Sequence, residues 1–420
     1  MNYPESVQFL YSLGNEQKTM KFGLERITAL MAELGNPHRM CRYVHVAGTN
    51  GKGSTCAFVE SGLRAAAYKT GLYTSPHLKE PTERIRVNGQ PVSEEDFLRG
   101  FHLVHETAER MVASGRMDMH PTYFETMTAM AFVLFAEHQC EWVVLEVGMG
   151  GRLDATNIVT PELCVITQIA VDHQKFLGET LAKIAGEKAG ILKTGVPVVV
   201  SPQEPEAQRV VEARASAVGA PVFLTSDWPI TELEVTPEGS RFKTGTYEVQ
   251  VKMPGEHQVE NARTALAALH RLGLSKANVQ RGIAAARWPG RLELVKKRPD
   301  IYLDGAHNPA GAAALKRYIE RFFPGRRTWL IFGTMRDKDV DEVCRILFPL
   351  AYRVIATAPK QARSLEPEEI VRRSPVPQTE ASPSIQQALD RVQAEAAPED
   401  VVFVTGSLYL VGEARTLLVQ

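Results

Sequence analysis

A glycine-rich loop, Gly48-Thr49-Asn50-Gly51-Lys52-Gly53-Ser54, sits directly between a β-rich run, Tyr43 to Ala47, and a helix-compatible stretch, Thr55 to Ala67. A strand that ends in a glycine turn and enters a helix aims consecutive backbone N–H groups and the positive helix end at one point. Lys52 adds a mobile cation and Ser54 a hydroxyl suited to Mg²⁺, so the natural ligand is a nucleoside triphosphate. The spacing departs from the common form of this loop. Only two residues separate Gly48 from Gly51, and Gly53 stands between the lysine and the serine, which marks a subtype.

A loop of this kind needs a parallel sheet around it, and the rest of the chain supplies the pattern. After two short amphipathic helices, about 5–13 and 22–34, strand-like runs at 43–47, 71–74, 142–147, 163–169 and 196–200 are interspersed with helical patterns at 93–112, 124–137, 181–189 and 205–218. Such alternation predicts an α/β domain with a mostly parallel sheet covered on both faces. Residues 230–253, Thr- and Val-rich around two turn signals, predict a small antiparallel insert. Helical patterns return at 258–271 and 276–286. Near Trp288-Pro289-Gly290-Arg291 and the polar run Lys296-Lys297-Arg298-Pro299 the chain then reads as a linker before a second series, with strands at 301–304, 329–332, 353–356 and 401–405. The expectation is a P-loop domain over 1–295 followed by a smaller, Rossmann-like α/β domain over 296–420, with a cleft between them.

Composition closes off other classes. With 48 basic and 49 acidic side chains in 420 residues, no global field favours nucleic acid or an anionic membrane, so an anion must be bound locally. Five scattered cysteines lack metal-finger spacing, and their odd number argues against a disulfide framework. The start of the chain has no basic or apolar leader pattern, and the longest apolar stretch, 127–136, is far short of a membrane span. A soluble, untargeted cytoplasmic protein is expected, and a monomer.

Further residues carry chemistry. The run Trp142 to Val147 is a buried-strand pattern with Glu146 at its carboxyl end, where a hard oxygen ligand for Mg²⁺ is wanted beside a phosphate loop; a plain cap for the next turn is the alternative. The strand at 163–169 leads to Asp172-His173, again at a carboxyl end, although a lone histidine is more often a hydrogen-bonded loop residue. Gly148 to Asn157 is too glycine-rich for a helix, so the backbone comes close to a ligand or turns tightly. Lys188 lies near a helix end, where most lysines are solvated. In the second domain, Asp304-Gly305-Ala306-His307-Asn308-Pro309 repeats the strand-glycine-helix design, with Pro309 suited to the first helical turn.

Together these motifs resemble the Mur-ligase superfamily of ATP-dependent amide ligases, and within it the folylpolyglutamate synthase/dihydrofolate synthase family. The resemblance spans nearly the whole chain. Behind the phosphate loop, Thr74 to Leu78, Glu83 to Ile85, Tyr123 to Glu125, Gly148 to Asn157, Glu187 to Ile191, Asp304 to Asn308 and Thr405 to Tyr409 follow in the family's order. Gln168 departs from the Asn or Ser more usual there, which bears on how the loop is tied down. The resemblance implies that ATP phosphorylates a substrate carboxylate and that the amino group of L-glutamate attacks the acyl phosphate. Folate or dihydropteroate would be the carboxylate substrate. By the same match Lys52 contacts the β- and γ-phosphates, and Ser54, Glu146 and His173 surround Mg²⁺. Lys188 matches a lysine carbamylated by CO₂ that supports a second ion. Asn261, placed at a helix start, matches an adenine contact. Arg291, Asp304 and His307 match residues that reach the nucleotide. Ser75, Phe124, Arg152 and Asp154 are the candidates for the folate side, and His307 and Ser407 for the incoming glutamate. Lys52, Lys188, Asp304 and His307 are the catalytic candidates.

Two other classes share part of this pattern. A nucleotide-dependent switch would share the loop, but no [NT]-K-x-D guanine motif is present and a second strand-glycine-helix site has no use in a switch. A cell-wall Mur ligase would carry a UDP-binding domain ahead of the loop, and a first strand at Tyr43 leaves little chain for one.

Overall fold

The computed structural model describes residues 1–13 and 23–419, so the start of the second expected helix at residue 22 lies outside the described residues. The first sheet has eight strands: β1 (Arg42–Ala47), β2 (Thr70–Tyr73), β3 (Ile85–Val87), β4 (Gln90–Pro91), β5 (Trp142–Glu146), β6 (Leu163–Ile166), β7 (Val198–Val200) and β8 (Val222–Leu224). Their order is β4-β3-β2-β5-β1-β6-β7-β8. All pairings are parallel except β2 with β3 and β3 with β4. Strands β5, β6 and β7 are buried along their whole length and rich in Val, Leu and Ile, as central parallel strands must be when helices cover both faces. β1 lies between β5 and β6, so the glycine loop leaves the middle of the sheet at its carboxyl edge, where the strand order reverses.

Local sequence fixes the covering helices. Ser93 accepts the N–H of Asp96 at the start of helix Glu94–Ala113, whose first turn is acidic. Thr122 and Glu125 form a capping box that starts helix Tyr123–Glu137, and Met127, Met130, Phe132 and Phe135 of that helix are fully buried in the core against the sheet.

A three-stranded antiparallel sheet follows, β9 (Thr231–Thr236), β10 (Gly239–Thr244) and β11 (Tyr247–Val251), as expected for the insert. The last sheet contains β12 (Glu293–Lys296), β13 (Asp300–Leu303), β14 (Thr328–Phe332), β15 (Arg353–Ala356), β16 (Thr379–Ala381) and β17 (Val401–Thr405), in the order β12-β13-β17-β14-β15-β16. It is parallel apart from β12 with β13. The stretch read as a linker is therefore corrected: Glu293–Lys296 is an edge strand, and Lys297, Arg298 and Pro299 are the turn of a hairpin. Polar residues suit an edge strand, which is why the run looked unstructured.

The chain divides into two compact units: 1–76 with 80–229 and 261–285, and 77–79 with 230–260 and 286–420. This is not a single cut at 296. The insert groups with the second unit, where the Tyr318 hydroxyl on helix Pro309–Phe322 donates to Pro237 O in the turn between β9 and β10 (2.8 Å). All five cysteines are free. No helix among the described residues is long and apolar enough to cross a membrane.

Candidate active site

In the first unit, β1 ends at Ala47 and Gly48 adopts φ 152°; a Cβ there would stand 1.9 Å from Thr167 Oγ1, so only glycine fits. Gly51, at φ 86°, is the N-cap of helix Lys52–Ala65, and a Cβ on it would meet Asn261 Oδ1 at 2.2 Å. Asn261 therefore stands against the phosphate loop. It lies in the second turn of helix Glu256–Arg271, not at its start. The Thr49 and Asn50 N–H groups both donate to Gln168 O (2.8 and 3.2 Å). The Thr49 hydroxyl donates to Ala170 O (2.9 Å) and accepts from Ala170 N–H (3.0 Å). These ties hold the front of the loop and leave the amides that open the helix, after Gly51, to face an anion. Lys52 Nζ folds back on Thr49 O (3.2 Å), and Ser54 is buried in the first helical turn.

Lys188, in the last turn of helix Leu181–Ala189, is buried, and its Nζ donates to Gly48 O at 2.8 Å. The solvated alternative for this residue is thus excluded, and its amine lies on the phosphate loop. Glu146 ends β5 and is buried, with Oε2 accepting the Ser75 N–H (3.1 Å). His173 adopts φ 53°, precedes the short helix Gln174–Leu177, and has Nε2 3.9 Å from Asp172 Oδ2.

The glycine-rich stretch after β5 is held from within. Asp154 is buried; Oδ2 accepts the N–H groups of Gly148 and Met149 (both 3.0 Å), and Oδ1 accepts the N–H and hydroxyl of Thr156. Burial raises its pKa above the usual carboxylate value against these hydrogen bonds. Each oxygen is doubly engaged, so Asp154 organises the loop's backbone. Thr156 Oγ1 in turn meets His45 Nε2 at 2.8 Å inside β1. Because the hydroxyl proton goes to Asp154, the His45 ring donates. Burial, with Lys193 as a lesser cause, drops the His45 pKa to about 3, so the ring is neutral. Sequence reasoning missed His45 and, although it placed Thr49 in the phosphate loop, missed the tie of its hydroxyl to Ala170; both contacts depend on partners more than a hundred residues away. Phe124 supports the other side: a Cβ on Gly148 would stand 2.4 Å from its ring. Arg152 is partly exposed and pairs with Glu187 through Nε and Nη2 (3.1 and 2.9 Å). Glu125, the last residue of the Tyr123–Glu125 motif, forms a buried ion pair at 3.0 Å with Arg26, which the sequence did not single out.

The second unit has its own site at the end of β13. Asp304 is buried, Oδ2 accepting the Leu292 N–H and Oδ1 the Ala306 N–H (both 3.0 Å). Burial raises its pKa, opposed first by the Arg291 charge. Arg291 reaches the same turn, since a Cβ on Gly305 would lie 2.2 Å from its Nη1. His307 Nδ1 lies 2.8 Å from Gly305 O and so carries the proton it donates. Asn308 caps helix Pro309–Phe322 through the Gly311 N–H, and Pro309 opens that helix as expected. Ser407 caps helix Leu408–Leu418, accepting the Tyr409 N–H at 3.1 Å.

Comparison with known proteins agrees with this layout. The Mur ligase middle domain matches residues 46–269, and the Mur ligase glutamate ligase domain matches 290–408. A Bacillus subtilis dihydrofolate synthase/folylpolyglutamate synthase is 37% identical over 415 residues, covering 95% of each chain. A folylpolyglutamate synthase from Mycobacterium tuberculosis, solved with ADP and AMPPCP, superimposes with a TM-score of 0.92 at 32% identity over 100% of this chain and 99% of its own. An Escherichia coli relative solved with DHPP and ADP gives 0.88 at 33% identity, over 99% and 97%. With both domain types in order and likeness along the full length of these synthases, the chain belongs to the folylpolyglutamate synthase/dihydrofolate synthase family of Mur-type ligases.

Proposed function

We propose that this protein uses ATP to join L-glutamate to the carboxylate of a folate, and that it also joins glutamate to dihydropteroate. The observation that carries the reading is the phosphate loop, with Lys52 at the helix start, Asn261 against Gly51 and the buried Lys188 amine on Gly48 O, in a chain similar end to end to such synthases. A carboxylate oxygen of the pteroyl substrate attacks the γ-phosphorus and ADP leaves. The glutamate amine then attacks the acyl carbon, phosphate leaves, and the amine gives up a proton as the amide forms. Little covalent work falls to the protein, so its contribution is positioning, charge stabilisation and exclusion of water.

Lys52 is assigned to the β- and γ-phosphates and Asn261 to the adenine. Phe124, Ser75 and Arg152 are assigned to the folate side. In the second unit Arg291 and Asp304 are assigned to the nucleotide, and His307 and Ser407 to glutamate. The hydroxyl of Ser54, the carboxylate of Glu146 and the ring of His173 form a donor set that suits Mg²⁺, and these residues would hold it. When bound, the ion would neutralise charge on the phosphoryl group. The buried position of Lys188 beside the loop fits a carbamate, which would turn this cation into an anionic ligand for a second ion.

ATP turnover measured with dihydropteroate or tetrahydrofolate, each with and without glutamate, tests the reading. Amide product should form only with pteroyl substrate, glutamate, ATP and Mg²⁺ together. Equal ATPase rates without any pteroyl compound would overturn it, and product from tetrahydrofolate alone would restrict the enzyme to chain extension.

A further inference from the structure

We propose that His105, Glu109 and His120 form a binding site for a divalent transition-metal ion of the zinc class, separate from the phosphate loop. One ligand atom from each of the three lies within 4.8 Å of the others, and this is the only such group of His, Cys, Asp and Glu among the described residues. His105 and Glu109 are four residues apart on helix Glu94–Ala113 and so share a face. His120 comes from the segment that follows, just before Thr122 caps the next helix.

The two rings are already set for a shared ligand. His120 Nδ1 lies 3.0 Å from Pro121 O; a carbonyl only accepts, so Nδ1 carries the proton and the Nε2 lone pair is left facing His105. A backbone carbonyl holding the second ring nitrogen is the usual way a ligating histidine is oriented. Nε2 of His120 and Nδ1 of His105 stand 3.3 Å apart. Two nitrogens each about 2.0–2.1 Å from zinc across a tetrahedral angle lie about 3.3 Å from each other. His105 is fixed by stacking on buried Phe101 (centroids 5.2 Å, planes 10° apart) and by the edge of Phe9. Glu109 Oε1 is 3.9 Å from His120 Nε2 on an exposed side chain that can rotate inward, while the His120 ring is largely covered. Nitrogen, nitrogen and carboxylate ligands suit zinc, cobalt or nickel better than Mg²⁺, with solvent at the fourth position. A hydrogen bond between the rings would use the same contact but has no need of Glu109 on the same face.

Such an ion would join helix Glu94–Ala113 to the segment that starts helix Tyr123–Glu137, which carries Phe124 and the Arg26 partner Glu125. Its role is to hold that segment, through folding free energy coupled to metal binding.

The test is Co²⁺ and Zn²⁺ titration of the full chain, read by cobalt visible absorption, competition with a zinc chelator, and thermal unfolding. One ion per chain with a tetrahedral cobalt spectrum and a raised Tm is expected. His105→Gln and His120→Gln should each weaken binding by more than about 100-fold, beyond the 10- to 100-fold cost of losing an outer partner. Glu146→Gln should leave the signal intact, which separates this site from any ion at the phosphate loop. Absence of a cobalt spectrum, or binding that survives in the double variant His105→Gln/His120→Gln, would overturn the proposal, as would loss of binding in Glu146→Gln alone. Metal-free unfolding of each variant shows that it is folded before its affinity is read.

Discussion

Replacing Thr49 by Val keeps the shape and the β-branched stiffness of the side chain but removes the hydroxyl that both donates to Ala170 O and accepts from Ala170 N–H. Each such bond contributes about 1 kcal/mol net, so the loss comes to about 2 kcal/mol, a factor of about 30 in an equilibrium constant. The two N–H bonds to Gln168 O remain, because they belong to the main chain. The loop should therefore loosen without collapsing. Denaturant unfolding should show stability lower by about 2 kcal/mol at unchanged m-value, and kcat/KM for ATP should fall by up to about 30-fold. Thr49→Ser keeps the hydroxyl and should recover most of both. A Val variant within about 0.5 kcal/mol of the parent, the range of an indifferent surface change, would refute the latch. A Ser variant as impaired as Val would do the same, since the methyl group would then be what matters.

Lys52→Ala should lower turnover by about 10²- to 10³-fold, the scale of one preorganised charge stabiliser, with nearly unchanged unfolding; a rate close to the parent's would show that the loop does not bind triphosphate productively. Lys188→Ala should be almost inactive in the ligation assay and partly restored by acetate in the vacated volume, and full activity without acetate would remove the carbamate reading. His45 has its pKa depressed from 6.5 to about 3, so below pH 6.5 the unfolded chain takes up a proton that the folded chain refuses. Stability should fall with decreasing pH at up to about 1.4 kcal/mol per unit from this residue, and urea titrations of His45→Gln across that window should show the shallower acid limb. A Cβ on Gly282 would lie 2.4 Å from Gly62 Cα, where helix Lys276–Ala285 crosses helix Lys52–Ala65. Gly282→Ala should cost about 1–3 kcal/mol by forcing backbones apart, and a neutral result in denaturant unfolding would mean the helices can separate freely.

The sequence made some elements plain and hid others for physical reasons. β1, β5, β6, β14 and β17 were readable because buried parallel strands are largely apolar runs, and all but β6 are followed closely by glycine at the carboxyl end. β3, β4, β8 and β16 are two or three residues long at or near sheet edges, too short to show a period. β12 was hidden by its charge, and the grouping of the insert with the second unit rests on contacts such as Tyr318 with Pro237, which leave no local trace. The positions of Lys52 and Ser54 at a helix start and of Glu146 at a strand end were legible from spacing alone. Lys188 was ambiguous until its helix was placed, since nothing near it in the chain reveals that its amine ends on Gly48 O. Asp154 was legible as important, but its hold on the loop's own amides was not, because a carboxylate in a glycine-rich stretch looks the same whether it faces a ligand or the stretch's own amides.

The tie between Gln168 and the phosphate loop runs through a carbonyl oxygen, while the Gln168 side chain is exposed. Such a position is free to drift in identity while its geometry stays fixed, because any residue supplies the same carbonyl. Comparing related chains by letter would score it as dispensable. The constraint falls instead on the donors that this carbonyl serves: proline at 49 or 50 would remove an N–H that the loop cannot replace, so the latch limits which residue may stand there without fixing which one does.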